Sequence, residues 1–333
     1  MRDKPMNGGR RQDPGDRLGS WKGLIPLCMA AAAALFIGGG VDVVHRHQRA
    51  GDDKREAKPA AKAERTEPAV VVGITAPGTA LLVRDVHTGA NVGLPVAAPE
   101  GRRFHRVAAV KDGSYIVASY GGRSVTFQRL QLGDDGRPKS LTDIPKVSVP
   151  GASTAWSELA VSPDGGRIAY VTYKGTRGRV DVVSTTGGAH KAWTTKLRAR
   201  IGSLSWSGGT LSFVWTSAGS PRHQVRTLDT GGPAGDLKVS KAVMVLPKGA
   251  TNAVLSRDGR SVITGAVKNS ELTLQAYTLQ GKPARTLWTQ KVKGALTGLD
   301  IAHTSNSLIA TAGDLYAQGV AAVPGEDLAD VAW

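Results

Sequence analysis

Aspartates that precede a glycine are the first residues in this chain with a chemical use. Asp112, Asp164 and Asp258 recur in that setting and fit two roles. They could be cation ligands, or turn formers whose carboxylates accept local amide hydrogens. One such aspartate per repeat keeps them far apart, which points to turn formation. His87, His105, His190, His223 and His303 show no His-x-x-x-His pair and no His/Asp cluster at ligand spacing. His45 and His47 read as polar residues of a basic flank rather than a metal pair. No Gly-x-Ser-x-Gly elbow supports a hydrolase triad. Gly121-Gly122 and Gly187-Gly188 read as turns between strands, not as phosphate loops. The single cysteine, Cys28, excludes an intramolecular disulfide framework and any multi-cysteine metal site. Trp156, Trp193, Trp206, Trp215, Trp288 and Trp333 read as strand residues that pack between repeats, not as a platform for a quinone or a sugar. No catalytic residue, cofactor or metal is expected.

Charge is the remaining chemical signal. Lys and Arg number 43 against 27 Asp and Glu, a net +16, which suits an anionic partner or surface. An Arg-rich proteome style would give the same excess, and the count alone leaves both readings open.

The elements that must position these residues are short strands. After Ala69 the chain becomes a series of β-rich runs broken by glycine turns. The clearest unit, Glu158–Thr195, offers four: ELAVS, GGRIAYVTY, RVDVVSTTGG and HKAWTT. Asp-Gly between apolar runs is a strong hairpin signal, because the turn needs the positive φ that these residues tolerate. The unit recurs with Asp112-Gly113, Gly208-Gly209, Asp258-Gly259 and Ser305-Asn306 in the turn, spaced between 44 and 52 residues apart. That is the size of a four-stranded propeller blade. Val70–Val96 offers only three strands, and the terminal LADVAW (Leu328–Trp333) matches the missing first one. The sequence therefore predicts an all-β, six-bladed propeller over residues 69–333, closed by its C-terminal strand and expected to be a monomeric ring.

SPDGGRIAY (Ser162–Tyr170) resembles the repeat of TolB-type, WD-repeat-like β-propellers, and SRDGRSVIT (Ser256–Thr264) is a weaker copy. The layout also resembles membrane-anchored actinobacterial propeller proteins of unassigned activity. The resemblance implies the fold and an envelope location. It carries no site residues, and TolB's own N-terminal domain is absent.

Residues 23–41 carry no charge, a length that suits one helical span. The expected layout is a basic cytoplasmic tail (1–22), a transmembrane signal-anchor (23–44), a disordered charged linker (45–68) and the propeller (69–333). A cleaved secretory signal is the alternative. Flanking positive charge ties across the span, so orientation rests on the bulk of the chain following a first hydrophobic segment. The expectation is a single-pass cell-membrane protein with its propeller outside.

Propeller strand order predicts one basic face. The connections from blade to blade share a face with the turns between second and third strands. That face is assigned Arg102, Arg103, Arg106, Arg123, Lys174, Arg177, Arg179, Arg198, Arg200, Arg222, Lys248, Lys268, Lys291 and Lys293, against Glu100, Glu271, Glu326 and Asp327. The opposite face mixes ten basic with seven acidic residues. The leading functional expectation is a non-enzymatic binding or scaffold module for an anionic envelope polymer or an acidic protein. A propeller enzyme of lactonase or quinoprotein type is the second expectation. It would need acidic side chains around the central channel, where Glu158 and Asp300 are the two read from the inner strands. A cytoplasmic nucleic-acid-binding ring is the third, and nucleic acid is not the expected partner because no recognition helix is present.

Overall fold

The computed structural model describes residues 69–220, 222–302 and 307–333. The expected tail, span and linker, with Cys28, His45 and His47, lie outside these residues, as does the Ser305-Asn306 turn. Among the described residues no helix is long and apolar enough to cross a membrane.

The chain forms six antiparallel blades. Blade one holds β1 (Val70–Thr75), β2 (Ala80–Asp85) and a two-residue β3 (Val96–Ala97). Blade two holds β4 (Arg103–Ala109), β5 (Tyr115–Gly121), β6 (Ser124–Leu132) and β7 (Pro138–Pro150). Blade three holds β8 (Leu159–Val161), β9 (Arg167–Lys174), β10 (Arg177–Ser184) and β11 (His190–Thr194). Blade four holds β12 (Ala199–Ser207), β13 (Thr210–Ser217), β14 (His223–Asp229) and β16 (Lys241–Val245). Between its last two strands, β15 (Gly235–Asp236) crosses over and pairs with β11 of blade three. Blade five holds β17 (Ala250–Leu255), β18 (Ser261–Lys268), β19 (Glu271–Thr278) and β20 (Pro283–Lys291). Blade six holds β21 (Gly298–Ile301), β22 (Leu308–Ala312), β23 (Asp314–Ala317) and β24 (Val323–Pro324). The last strand, β25 (Leu328–Ala332), pairs antiparallel with β1 and completes blade one. Closure of this kind leaves no blade with an open inner edge.

The first strand of each blade is innermost. These strands touch in sequence, β25 to β4, β8, β12, β17, β21 and back to β25, and so line the central axis. Asp-Gly turns make the first hairpins possible: Gly113, Gly165 and Gly259 adopt φ of 81°, 69° and 68°, a region open to glycine at little cost. Their aspartates do form turns. Asp112 accepts from the amide of Ser114, Asp164 from Gly166 and Asp258 from Arg260, at 2.9, 3.0 and 3.0 Å.

The core is divided like the ring. Six apolar clusters lie one between each pair of neighbouring blades. Phe127 meets Tyr170 edge-on between blades two and three, with centroids 5.8 Å apart. Trp193 and Trp206 fill the junction of blades three and four. Trp333, 3% exposed, packs with Val71 and Leu315 where blade six meets blade one. Burying a side chain of that size contributes roughly 1.5–3 kcal/mol or more, so the C-terminus carries part of the ring's stability. Trp156 departs from expectation. It lies in the connection between β7 and β8, not in a strand, and is 44% exposed.

Candidate functional site: the central channel and the face around its mouth

The inner strands enclose a cavity of about 610 Å³ on the ring axis. Its charged lining is three carboxylates, Glu158, Asp300 and Asp330, and three guanidiniums, Arg106, Arg200 and Arg257. Strand alternation accounts for Arg106, Arg200, Asp300 and Asp330, since every second residue of an inner strand points at the axis; Glu158 enters from the residue before β8 and Arg257 from the turn after β17.

Most of these side chains are tied to the next blade around the ring. Asp330 of blade one accepts from the Val107 amide of blade two at 2.8 Å. Arg106 of blade two donates to the carbonyls of Ser157 and Ala155 beside blade three, at 2.5 and 2.8 Å, and to its neighbour His105 at 3.0 Å. Glu158 of blade three lies within electrostatic reach of the Ser203 amide of blade four. Ser205 of blade four accepts from the Leu255 amide of blade five at 2.9 Å. Arg257 of blade five donates to the Ile301 carbonyl of blade six at 3.1 Å. Asp300 of blade six accepts from the Trp333 amide at 3.4 Å and so returns to blade one. Five of the six junctions carry a side-chain-to-main-chain hydrogen bond in the same rotational sense, and the Glu158 carboxylate faces the sixth.

Enclosure shifts these groups. The carboxylates meet water only along the channel, with protein on every other side. Burial pushes Glu158 up to about 7, and the Asp330 carboxylate adds to the rise while Arg106 and Arg200 oppose it. Burial likewise pushes Asp300 up to about 6, against the pull of the Ile301 and Trp333 amides. Asp330 is also raised, chiefly by burial. Burial disfavours the Arg106 cation, and the carboxylates of Asp330 and Glu158 more than offset this and hold it charged. Beside it, burial pushes His105 down to about 4; its Nδ1 is buried with no hydrogen-bond partner. A carboxyl that titrates near 7 can move a proton. Among the described residues no group of His, Cys, Asp or Glu is placed to hold a metal ion.

The fourteen basic residues read from the sequence divide into two groups. Arg106 turns into the channel. Arg102 is half-buried and donates to Ser119 Oγ and its carbonyl, both at 3.0 Å. Arg179 lies within β10 and grips the fully buried Asp181, whose other partner is His190 Nε2 at 2.7 Å. Lys293 pairs with Asp314 at 2.8 Å. The other ten (Arg103, Arg123, Lys174, Arg177, Arg198, Arg200, Arg222, Lys248, Lys268 and Lys291) are exposed. None of the ten forms a salt bridge among the described residues. Antiparallel order puts these ten in or beside the blade-to-blade connections and second-to-third-strand turns, at one end of the ring. We call this the connecting face.

Two acids escaped the sequence reading. Asp330 is a third channel carboxylate, and Asp314 is a fifth acid on the connecting face. The signal for Asp330 was present: it is the third residue of β25, as Asp300 is of β21. LADVAW was read for its closure of the ring, not for what its middle residue faces.

No family model matches the chain, and no curated protein matches it in sequence. Solved structures match it in fold. A chain of the nidogen/laminin complex aligns with a TM-score of 0.55 at 9% identity, over 79% of this chain and 97% of that one. A functionally unknown protein from Desulfotomaculum acetoxidans aligns with a TM-score of 0.50 at 13% identity, over 79% and 98%. TolB from Acinetobacter baumannii aligns with a TM-score of 0.46 at 14% identity, over 79% of this chain and 65% of its own. At such identities the likeness is one of architecture. The chain is a six-bladed β-propeller.

Proposed function

We propose that this protein is a membrane-tethered, extracytoplasmic propeller that binds an anionic ligand on its connecting face without catalysing a reaction. The observation that carries this reading is the contrast in charge use around the ring axis. Arg106, Arg257, Asp300 and Asp330 in the channel are engaged with neighbouring blades, whereas ten exposed cations on the connecting face, Arg200 at the channel mouth among them, form no ion pair among the described residues. Of the five acids there, Asp314 and Asp327 are already paired, with Lys293 and Arg84. A one-signed field of this kind draws anions to the channel mouth. β1 is the second strand of its blade and runs from the opposite face toward the connecting face. Ala69, where the chain enters the ring, therefore lies at the end opposite the basic face.

The test is retention of a polyanion such as polyphosphate by the full chain in neutral detergent. Binding at low salt should fall as ionic strength rises, since the Debye length shrinks to about 8 Å at 0.15 M. Reversing Arg177, Arg198, Arg200 and Arg222 to Glu should remove most retention. The same number of reversals at Lys111, Lys139, Lys238 and Lys282 on the other face should matter far less. Equal loss from both sets would mean that net charge alone acts and would refute a one-sided site.

A further inference from the structure

Two of the large apolar side chains left exposed lie on the connecting face within a single sector. Trp156, 44% exposed, sits in the connection from β7 to β8, and Leu197, 57% exposed, in the connection from β11 to β12. They flank the β9–β10 turn that carries Lys174 and Arg177. Neither is a loose tip. The Trp156 ring stands edge-on against Tyr173, with centroids 5.9 Å apart and planes at 77°. Tyr173 is fixed in turn by its hydroxyl, which donates to the Ile201 carbonyl and accepts from the Ile201 amide at 3.1 and 2.9 Å. The connection bearing Leu197 is tied to the turn by the Ala199 amide on the Thr176 carbonyl at 3.2 Å, and Thr195 Oγ1 donates to the Leu197 carbonyl at 2.7 Å. Single exposed apolar residues are ordinary. A held aromatic and a held aliphatic bracketing Arg177, Arg198 and Arg200 are an arrangement that charge recognition alone does not use.

Resting on the anionic-ligand reading above, we infer that the occupant of this sector is an acidic polypeptide segment carrying an apolar side chain, which seats against Trp156 and Leu197 while its carboxylates meet the arginines. Charge complementarity selects an acid. Arginine's planar fork matches a carboxylate in two parallel hydrogen bonds, and Arg177, Arg198 and Arg200 lie in the flanked turn and in or beside the connection bearing Leu197, together with Lys174 and the Asp236-paired Lys196. Aromatic anchors with an arginine surround are also the composition of protein-binding hot spots. Polyphosphate offers charge but nothing for the indole, and a sugar-bearing wall polymer could stack on Trp156 but offers no apolar side chain to Leu197. A lipid surface would use both. Against it stands the entry of the chain into the ring from the opposite face, which turns this sector away from the point of attachment.

The test compares two short synthetic peptides of equal charge, one of Asp and Glu only and one with two Phe added, on the full chain in discs of zwitterionic lipid. The Phe-bearing peptide should bind about tenfold tighter or better. Trp156→Ala with Leu197→Ser should remove that advantage and leave the all-acid peptide unaffected. Reversal of Arg177, Arg198 and Arg200 to Glu should weaken both peptides. Equal affinity for the two peptides, or an advantage that survives the double substitution, would overturn this inference while leaving the anionic face intact. No binding of either peptide or of polyphosphate would overturn the functional reading itself. Anionic phosphatidylglycerol vesicles captured in a Trp156-dependent way, with no preference between peptides, would replace the polypeptide by a lipid surface. Unchanged thermal unfolding of the double variant confirms that the readout is recognition, since both side chains are exposed.

Discussion

Arg106 and Arg200 lie on inner strands two blades apart, β4 and β12, and both line the same cavity. Arg106 is half-buried, and both sides of its guanidinium are taken up by carbonyls of blade three and of its own strand. Arg200 is exposed at the mouth and makes no ion pair among the described residues. Local backbone separates them. Arg106 follows a register shift in β4 between Phe104 and Arg106, which seats it opposite the turn before β8. Arg200 is the second residue of β12 and ends at the rim. A guanidinium at the axis is part of the ring's closure; the same group one turn outward is free for a ligand. The comparison separates charges that hold the fold from charges that can serve an outside partner.

The strongest way to break that comparison is at the closing strand. Deleting Leu328–Trp333 removes Trp333 from its cluster and the Asp330 link to Val107, and strips β1 of its inner partner. The full chain so shortened should lose cooperative unfolding in calorimetry. A normal melting transition would show that the ring does not depend on its C-terminal strand.

Next in size is the paired test of the two arginines. Arg106→Met removes the nearby cation from Asp330, leaves Glu158 with Arg200 alone, and orphans the carbonyls of Ser157 and Ala155. Leaving enclosed carbonyls unpaired costs about 1–3 kcal/mol. Arg200→Met, at an exposed site, should stay within roughly 0.5 kcal/mol of the parent. Denaturant midpoints at constant slope would measure both. Similar losses at the two positions would erase the distinction drawn here.

Much of the architecture was legible because it is written in local chemistry. Asp-Gly turns are required by backbone geometry, and their recurrence counts the blades; LADVAW closes the ring because blade one lacks its first strand. The channel was less legible. Which of two neighbouring residues faces the axis depends on bulges such as those between Phe104 and Arg106 in β4 and between Gly202 and Ser205 in β12, and no turn motif announces a bulge. Arg106 and Arg179 counted alike as basic residues of one face. Only packing shows that the first points inward and the second is held by Asp181 within its own blade. The crossing of β15 onto blade three rests on Trp193 Nε1 meeting the Pro233 carbonyl at 2.9 Å and Lys191 Nζ meeting three carbonyls of Thr230, Gly231 and Gly232. These are contacts across 40 residues or so that no periodicity encodes.

The smallest expected effect is a pH dependence, and it reports on the channel alone. Glu158 titrates near 7 in the folded ring, above the ordinary 4.5 for its side chain. The folded state therefore holds this proton more tightly than the unfolded state. Below pH 4.5 both forms are protonated and nothing is lost. As pH rises from 4.5 to about 7 the unfolded chain gives up this proton while the folded ring keeps it, so stability falls; above 7 both states are ionised and the loss is complete. Glu158→Gln removes that term and keeps a side chain of the same size in the channel. It also relieves the repulsion on Asp330, in the same direction. The variant should therefore gain on the parent across pH 4.5–7, by on the order of 1–2 kcal/mol once screening by channel water is allowed for. His105 acts the other way, since a group held down to about 4 costs stability as pH falls from 6.5, but it is common to both proteins and cancels in the difference. Glu271→Gln on the connecting face is the control: exposed and outside any ion pair among the described residues, it should leave stability unchanged across that range. A flat difference for Glu158→Gln would mean that the channel carboxylate is as well hydrated as the rim, and the two regions would then differ in hydrogen bonding only.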